Sequence, residues 1–287
     1  MNFWFRLVWG RGVWGQNSEI RRLLRPPTFR VFNLPNISHF ALEQRAGMYE
    51  PRTYRRWVKD SDLVSFNATV KETDLYIRAR RNLRRKALKA VLKYRAAIEG
   101  YIGRHPSFLT TLEPLPIQED APQIVKEMSL AAEAVSLGPM SAVAGAIAEY
   151  VGKDLLAFST EVIVENGGDI FLKTTKKRLV GLYAGESPLT GKVALEIEPG
   201  ETPLGICTSS GTVGHSLSFG KADAVIVLAS SAALADAAAT AIGNEVKEAT
   251  DITRGIAFAQ GVNGLKGVVI VKDDKMGVWG GVKIAPV

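Results

Sequence analysis

The sequence predicts an α+β fold built on mostly antiparallel sheet, and two observations carry that prediction. Strand-like segments come in runs, 62–70 with 74–79, six more between 161 and 229, then a closing pair, rather than alternating one for one with helices. Helical segments fall between the runs, and two of them, 140–156 and 231–246, are rich in small residues that permit close backbone packing. With 287 residues, 46% of them hydrophobic and 23% charged, the chain can bury a sizeable core, which excludes disorder throughout.

Residues 1–47 differ in kind from the rest. They hold Trp4, Trp9 and Trp14, seven Arg and no Lys, and Pro26, Pro27 and Pro35 interrupt any periodicity. The expectation is a poorly ordered extension, with the working domain spanning 48–287. Arg6, Arg11, Gly10, Gly12 and Gly15 break the apolar stretch that a secretion signal needs. No run reaches the roughly 18 apolar residues that span a bilayer, so a cytoplasmic protein with no membrane partner is expected. A single cysteine, Cys207, makes no internal disulfide, and with only His39, His105 and His215 no His/Cys zinc site can form.

The net charge of +7 is unevenly spread: +5 in residues 1–47, +9 in 48–95 and −7 in the remainder. Much of the basic excess sits on a helix that follows the first hairpin. Asn82 is expected to cap it, with Leu83, Ala87, Leu88, Val91, Leu92, Ala97 and Ile98 facing inward and Arg84, Arg85, Lys86, Lys89 and Lys93 facing out. The outward cations read as a solvated face; they lack the interleaved aromatics of a nucleic-acid platform, so nucleic acid is not the expected partner. Residues 103–121, with Pro106, Pro114 and Pro116, suit an irregular connection and mark the expected internal boundary.

Helices then follow at 123–136 and, after a turn at Gly138 and Pro139, at 140–156. Strands are expected at 161–164, 170–173, 179–183, 193–198, 204–208 and 224–229, helices at 231–246 and 252–262, and a closing hairpin at 267–272 and 277–284 around Asp273 and Asp274.

Three constellations could carry chemistry. Asn166, Gly167, Gly168 and Asp169 join two apolar strands; paired glycines let backbone approach a planar ligand or phosphate, although Asn-Gly is also a plain hairpin turn. Thr208, Ser209, Ser210 and Gly211 follow a strand and offer hydroxyls and amides to an anion, without the spacing of a Walker loop or GxGxxG; a polar surface loop is the plainer reading. Asp236 and Thr240 lie one turn apart on an Ala-rich helix, about 40° apart in projection, a hard-oxygen pair suited to Mg²⁺ or equally a solvated pair. No Ser/His/Asp triad or HExxH motif is present.

Read in order, GPMSAVAGAIAEYVG, ENGGD, CTSSG and ALADAAATA resemble the motifs of the ApbE family of flavin transferases, over residues 60–284. The resemblance implies an ApbE-like, T-fold-like arrangement of sheets packed with helices. It implies FAD or FMN bound in a cleft, Mg²⁺ on the pyrophosphate, and an acceptor protein that receives FMN on a threonine hydroxyl. Carried over by position, Asp236, Thr240 and a carbonyl near Ser141 match the metal ligands, Asn166, Gly167, Gly168 and Asp169 the flavin-contacting turn, and Thr208, Ser209, Ser210 and Gly211 the loop beside the phosphates. Where typical transferases continue with His-x-x-Asp-Pro-x-Thr-Gly, this chain runs from His215 into SLSFGKADA. That departure keeps a second expectation open, a non-catalytic protein of the same fold that binds a flavin or related heterocycle. The oligomeric state stays open.

Overall fold

The computed structural model describes residues 62–212 and 219–286. The extension expected over residues 1–47, and His215, lie outside the described residues. Strands β1 (Val64–Val70), β2 (Thr73–Ala79), β3 (Val162–Asn166), β4 (Asp169–Lys173), β7 (Leu204–Ser209), β8 (Ala224–Ala229), β9 (Leu265–Lys272) and β10 (Lys275–Gly280) form one sheet in the order β1-β2-β3-β4-β7-β8-β9-β10. Every pairing in it is antiparallel. A smaller antiparallel sheet takes β11 (Ile284–Pro286), β6 (Val193–Ile197) and β5 (Arg178–Gly181), in that order. The helices are α1 (Arg84–Arg104), α2 (Ser107–Thr110), α3 (Gln123–Glu133), α4 (Val143–Leu156), α5 (Ala232–Glu245) and α6 (Ile252–Gln260).

The large sheet is the middle of three layers. On one face Ile77, Val164, Phe171, Cys207, Val225 and Val227 pack against apolar side chains of the helices. On the other, Leu172, Leu204, Ile206, Ile226 and Leu228 meet Leu182, Leu195 and Ile197 from the small sheet and its connections. Strands covered on both sides lose the polar alternation of a one-faced strand, and all six residues of β8, AVIVLA, are buried. The first core runs without interruption across 103–121, with Ile98 and Tyr101 on one side, Ile124, Val125 and Met128 on the other, and Phe108 between them.

The elements depart from expectation in a few places. Asn82 does accept a backbone amide, from Arg84 at 3.0 Å, but it stands one residue outside the helix cap, Leu83. Leu92, expected inward, is 56% exposed because it follows buried Val91 and is turned about 100° away. Arg95 takes an inward position instead. Its guanidinium is held by Glu72 and Glu99, each at 2.8 Å, and by Thr73 at 2.7 Å, which makes its burial tolerable. The helix expected from 140 begins as a 3-10 turn, Pro139–Ala142, and becomes α4 only at Val143. The last expected strand divides: β10 ends at Gly280, whose φ of +84° suits glycine, and the chain then crosses to the small sheet as β11. No described helix is long and apolar enough to cross a membrane.

Candidate functional site

The site forms where the β3–β4 turn, the end of β7, the start of α4 and the outer stripe of α5 meet. At the turn, Asn166 pairs with Asp169 across two glycines with φ of +69° and +108°, the signs a tight two-residue hairpin requires. The Gly168 amide donates to Glu165 Oε1 at 2.8 Å. Asn166 is turned toward α4, where its side-chain amide donates to the Ala144 carbonyl at 3.0 Å. Thr208 lies beside Gly168 and gives its backbone amide to Asp169 Oδ1 at 3.3 Å.

Helix α5 is buried along most of its surface, and Asp236 and Thr240 are half-buried on the side it leaves open. Asp236 accepts the Gly145 amide at 2.9 Å, in the first turn of α4, where amides have no helical acceptor of their own. The approach is close because position 145 has no side chain: a Cβ there would fall 2.2 Å from the Ala232 carbonyl oxygen and 2.8 Å from Asp236 Cβ. Gly205 does the same for β7 against α5, since a Cβ would fall 2.4 Å from Ala232 Cα.

These contacts put two carboxylates, Asp169 and Asp236, within electrostatic reach of each other. Burial, followed by the charge of Asp236, pushes Asp169 well above the usual carboxylate range. Burial pushes Asp236 up to about 7, against the pull of the Gly145 and Ala144 amides. Cys207 is buried beside the two carboxyls. Its thiol donates to the Ala232 carbonyl at 3.2 Å, and burial and the two carboxylates push it well above its ordinary value. Burial and mutual repulsion push both carboxyls toward the neutral form, and a cation placed beside them would favour the charged forms instead.

The donor set fits Mg²⁺. Among the described residues no group of three or more His, Cys, Asp or Glu gathers to hold a metal. A cation here would take one or two carboxylates, the Thr240 hydroxyl one turn along α5, water and ligand oxygen, the shell Mg²⁺ prefers. Ser141 stands on the 3-10 turn that packs against α5; its hydroxyl and its amide both donate to the Gly138 carbonyl, at 2.8 and 3.1 Å. Ser209 is buried and packs against Gly243 of α5. Ser210 and Gly211 bond within their own loop and to the segment before β8. Ser210 Oγ accepts the Thr212 amide at 3.1 Å, and the Gly211 amide reaches the Ala222 carbonyl at 2.9 Å.

Asp236 and Asp169 belong to separate motifs of the sequence, and nothing in their spacing signals that the two carboxyls come within reach of each other. Sequence reasoning also gave no role to Gly145 or Glu149, whose only signal was a helix rich in small residues that carries two acids, Glu149 and Asp154.

The sequence matches a family described as AbpE bacteria over residues 55–262. The chain belongs to that family. It is 44% identical over 217 residues to UPF0280 protein MJ1526 of Methanocaldococcus jannaschii, covering 74% of this chain and 88% of that one. It is 42% identical over 226 residues to UPF0280 protein MK0206 of Methanopyrus kandleri, covering 76% and 91%. Among solved structures it is similar to the flavin transferase ApbE from Vibrio cholerae, with a TM-score of 0.50 at 16% identity over 76% of this chain and 96% of that one. At that identity the likeness establishes the fold, a mixed helix and antiparallel sheet of ApbE type.

Proposed function

We propose that the site binds a flavin nucleotide, FAD or FMN, with Mg²⁺, and that its chemistry is FMN transfer to an acceptor protein or cleavage of the FAD pyrophosphate. The carrying observation is the carboxylate pair of buried Asp169, at the double-glycine turn, and half-buried Asp236, close enough to raise it. Family membership and the flavin transferase of like fold support the same ligand class. When bound, Mg²⁺ neutralises pyrophosphate charge and stabilises the leaving AMP.

The chain's own residues then have distinct tasks. Asp236 and Thr240 would hold the cation on one face of α5. The Gly167–Gly168 turn, bare of side chains, would let backbone lie against the flat ring or a phosphate. Asp169, fixed by the Thr208 amide, would supply the second negative charge that holds the cation in place. In transfer, the acceptor hydroxyl oxygen bonds to the flavin-side phosphorus as the pyrophosphate P–O bond breaks; AMP leaves with the electron pair and the hydroxyl proton goes to solvent.

The His215 to Ala224 stretch favours a second reading, a binder without turnover, because it lacks the His-x-x-Asp-Pro-x-Thr-Gly element. Calorimetric titration with FAD, with and without Mg²⁺, followed by assay of the mixture for AMP, separates the two. Mg²⁺-dependent binding with AMP release supports the enzyme, and binding without AMP supports the binder. Absence of heat in both conditions rejects the flavin reading.

A further inference from the structure

Of the two acids in α4, Glu149 is 3% exposed, and its side chain leaves its own helix to serve the next one. Its Oε2 accepts the Ala232 amide at 2.6 Å, the Ala233 amide at 3.4 Å and the Ser231 hydroxyl at 3.1 Å, so it closes the N-terminus of α5. Its Oε1 is held by Lys153 Nζ at 2.7 Å. Ser231 accepts the Leu234 amide in turn, completing the cap. Asp236, one turn into α5, returns the favour by accepting the Gly145 amide in the first turn of α4. Each helix therefore places one carboxylate on the positive end of the other. The two bonds also fix the sliding of one helix along the other, because the backbones touch at Gly145 and Ala232.

We propose that Glu149 is a positioning residue for the cation end of the site: by holding the first turn of α5 it sets where Asp236 and Thr240 stand relative to the start of α4 and to Asp169. This rests on the reading of Asp236 as a cation ligand. A capping role confined to the start of α5 would stabilise the helix without affecting the cation. The positioning role links Glu149 to a hydrogen bond that it does not itself make, Asp236 to Gly145.

The test uses the full chain, with Mn²⁺ alone as the probe, titrated calorimetrically into wild type, Glu149→Gln and Ile98→Val. Ile98 is fully buried on α1, and its trimming lowers stability away from the site. Amide hydrogen exchange at Gly145 and Ala232 is followed in all three. Glu149→Gln is expected to weaken Mn²⁺ binding about tenfold or more, as loss of groups that orient metal ligands does. It is also expected to speed exchange at Gly145 as well as at Ala232, whereas Ile98→Val moves neither. Wild-type Mn²⁺ affinity together with unchanged Gly145 exchange in Glu149→Gln would overturn the proposal. If wild type itself takes up no Mn²⁺, the cation reading of the function fails, and Gly145 exchange alone decides the role of Glu149. Should Glu149→Gln not fold, Lys153→Met releases the Oε1 arm and gives the same readouts at smaller amplitude; wild-type values in that variant overturn the proposal as well.

Discussion

Asp236 answers to two demands. Its carboxylate caps α4 through Gly145, and it stands close enough to Asp169 to raise that carboxyl, the pair proposed to take a cation. Substitution separates the two. Asp236→Ala removes the cap, and the expected cost is about 0.5–2 kcal/mol of unfolding free energy, read as a lower urea midpoint. An Ala-rich helix tolerates alanine, so that loss belongs to α4 rather than to α5. Asp236→Asn keeps an oxygen that can accept the Gly145 amide and removes the repulsion with Asp169, so stability at neutral pH should hold or rise. Both variants should lose any upward shift of the melting temperature that Mg²⁺ gives the wild type. A wild-type response to Mg²⁺ in Asp236→Asn would place the cation elsewhere. Along the sequence Asp236 was legible as an oxygen donor with Thr240 and illegible as a cap, because its partner is 91 residues away.

At the scale of elements, strands and helices were legible wherever local pattern decides them. The first hairpin, β8 and α5 stand within two residues of expectation, since period, turn residues and flanking glycines all act locally. Features set by contact between elements were not. The 3-10 start of α4, the exposure of Leu92 and the division of the last strand at Gly280 depend on what each segment packs against. A close contact of the same kind joins α4 and α5, where Gly145 leaves no room for a methyl group. Gly145→Ala drives a Cβ into the Ala232 carbonyl, and the two helices must part. The expected cost is about 1–3 kcal/mol by chemical denaturation, despite the better helix propensity of alanine. Because the same shift moves Asp236, the variant should also lose Mg²⁺-dependent flavin binding. Full stability would mean that the helices yield more readily than their packing implies.

Across the whole molecule, β3 joins two acidic centres of opposite design. At its far end lies the candidate site, where Asp236 raises the carboxyl of Asp169. At its near end Glu161, fully buried, accepts Arg178 at 2.6 Å, Thr174 at 2.9 Å and Thr175 at 2.5 Å, and it also pairs with Arg80. Arg178 continues to Asp62 at 2.8 and 3.1 Å, tying the start of the described chain to β5. Burial alone would raise the Glu161 carboxyl, but hydrogen bonds from Arg178, Thr175 and Thr174 outweigh it and hold the group at about 2, below its ordinary 4.5. One centre therefore has its charge matched by protein, whereas at the other burial and mutual repulsion push the carboxyls toward the neutral form, the pair proposed above to take a cation. The sign of the pH effect follows from the lowered value. The unfolded chain takes up the proton first as pH falls, so the stabilisation is complete above 4.5 and is lost as pH drops from there through about 2. Glu161→Gln leaves two guanidinium groups short of a partner, and a loss of about 3–5 kcal/mol at neutral pH is expected, with a shallower fall of stability on the acid side. Urea midpoints measured down the acid range in both proteins check this. Parallel acid limbs would show that Glu161 is not the group whose protonation weakens the fold, and a Glu161→Gln variant that still binds flavin with Mg²⁺ would show that the two ends of β3 act independently.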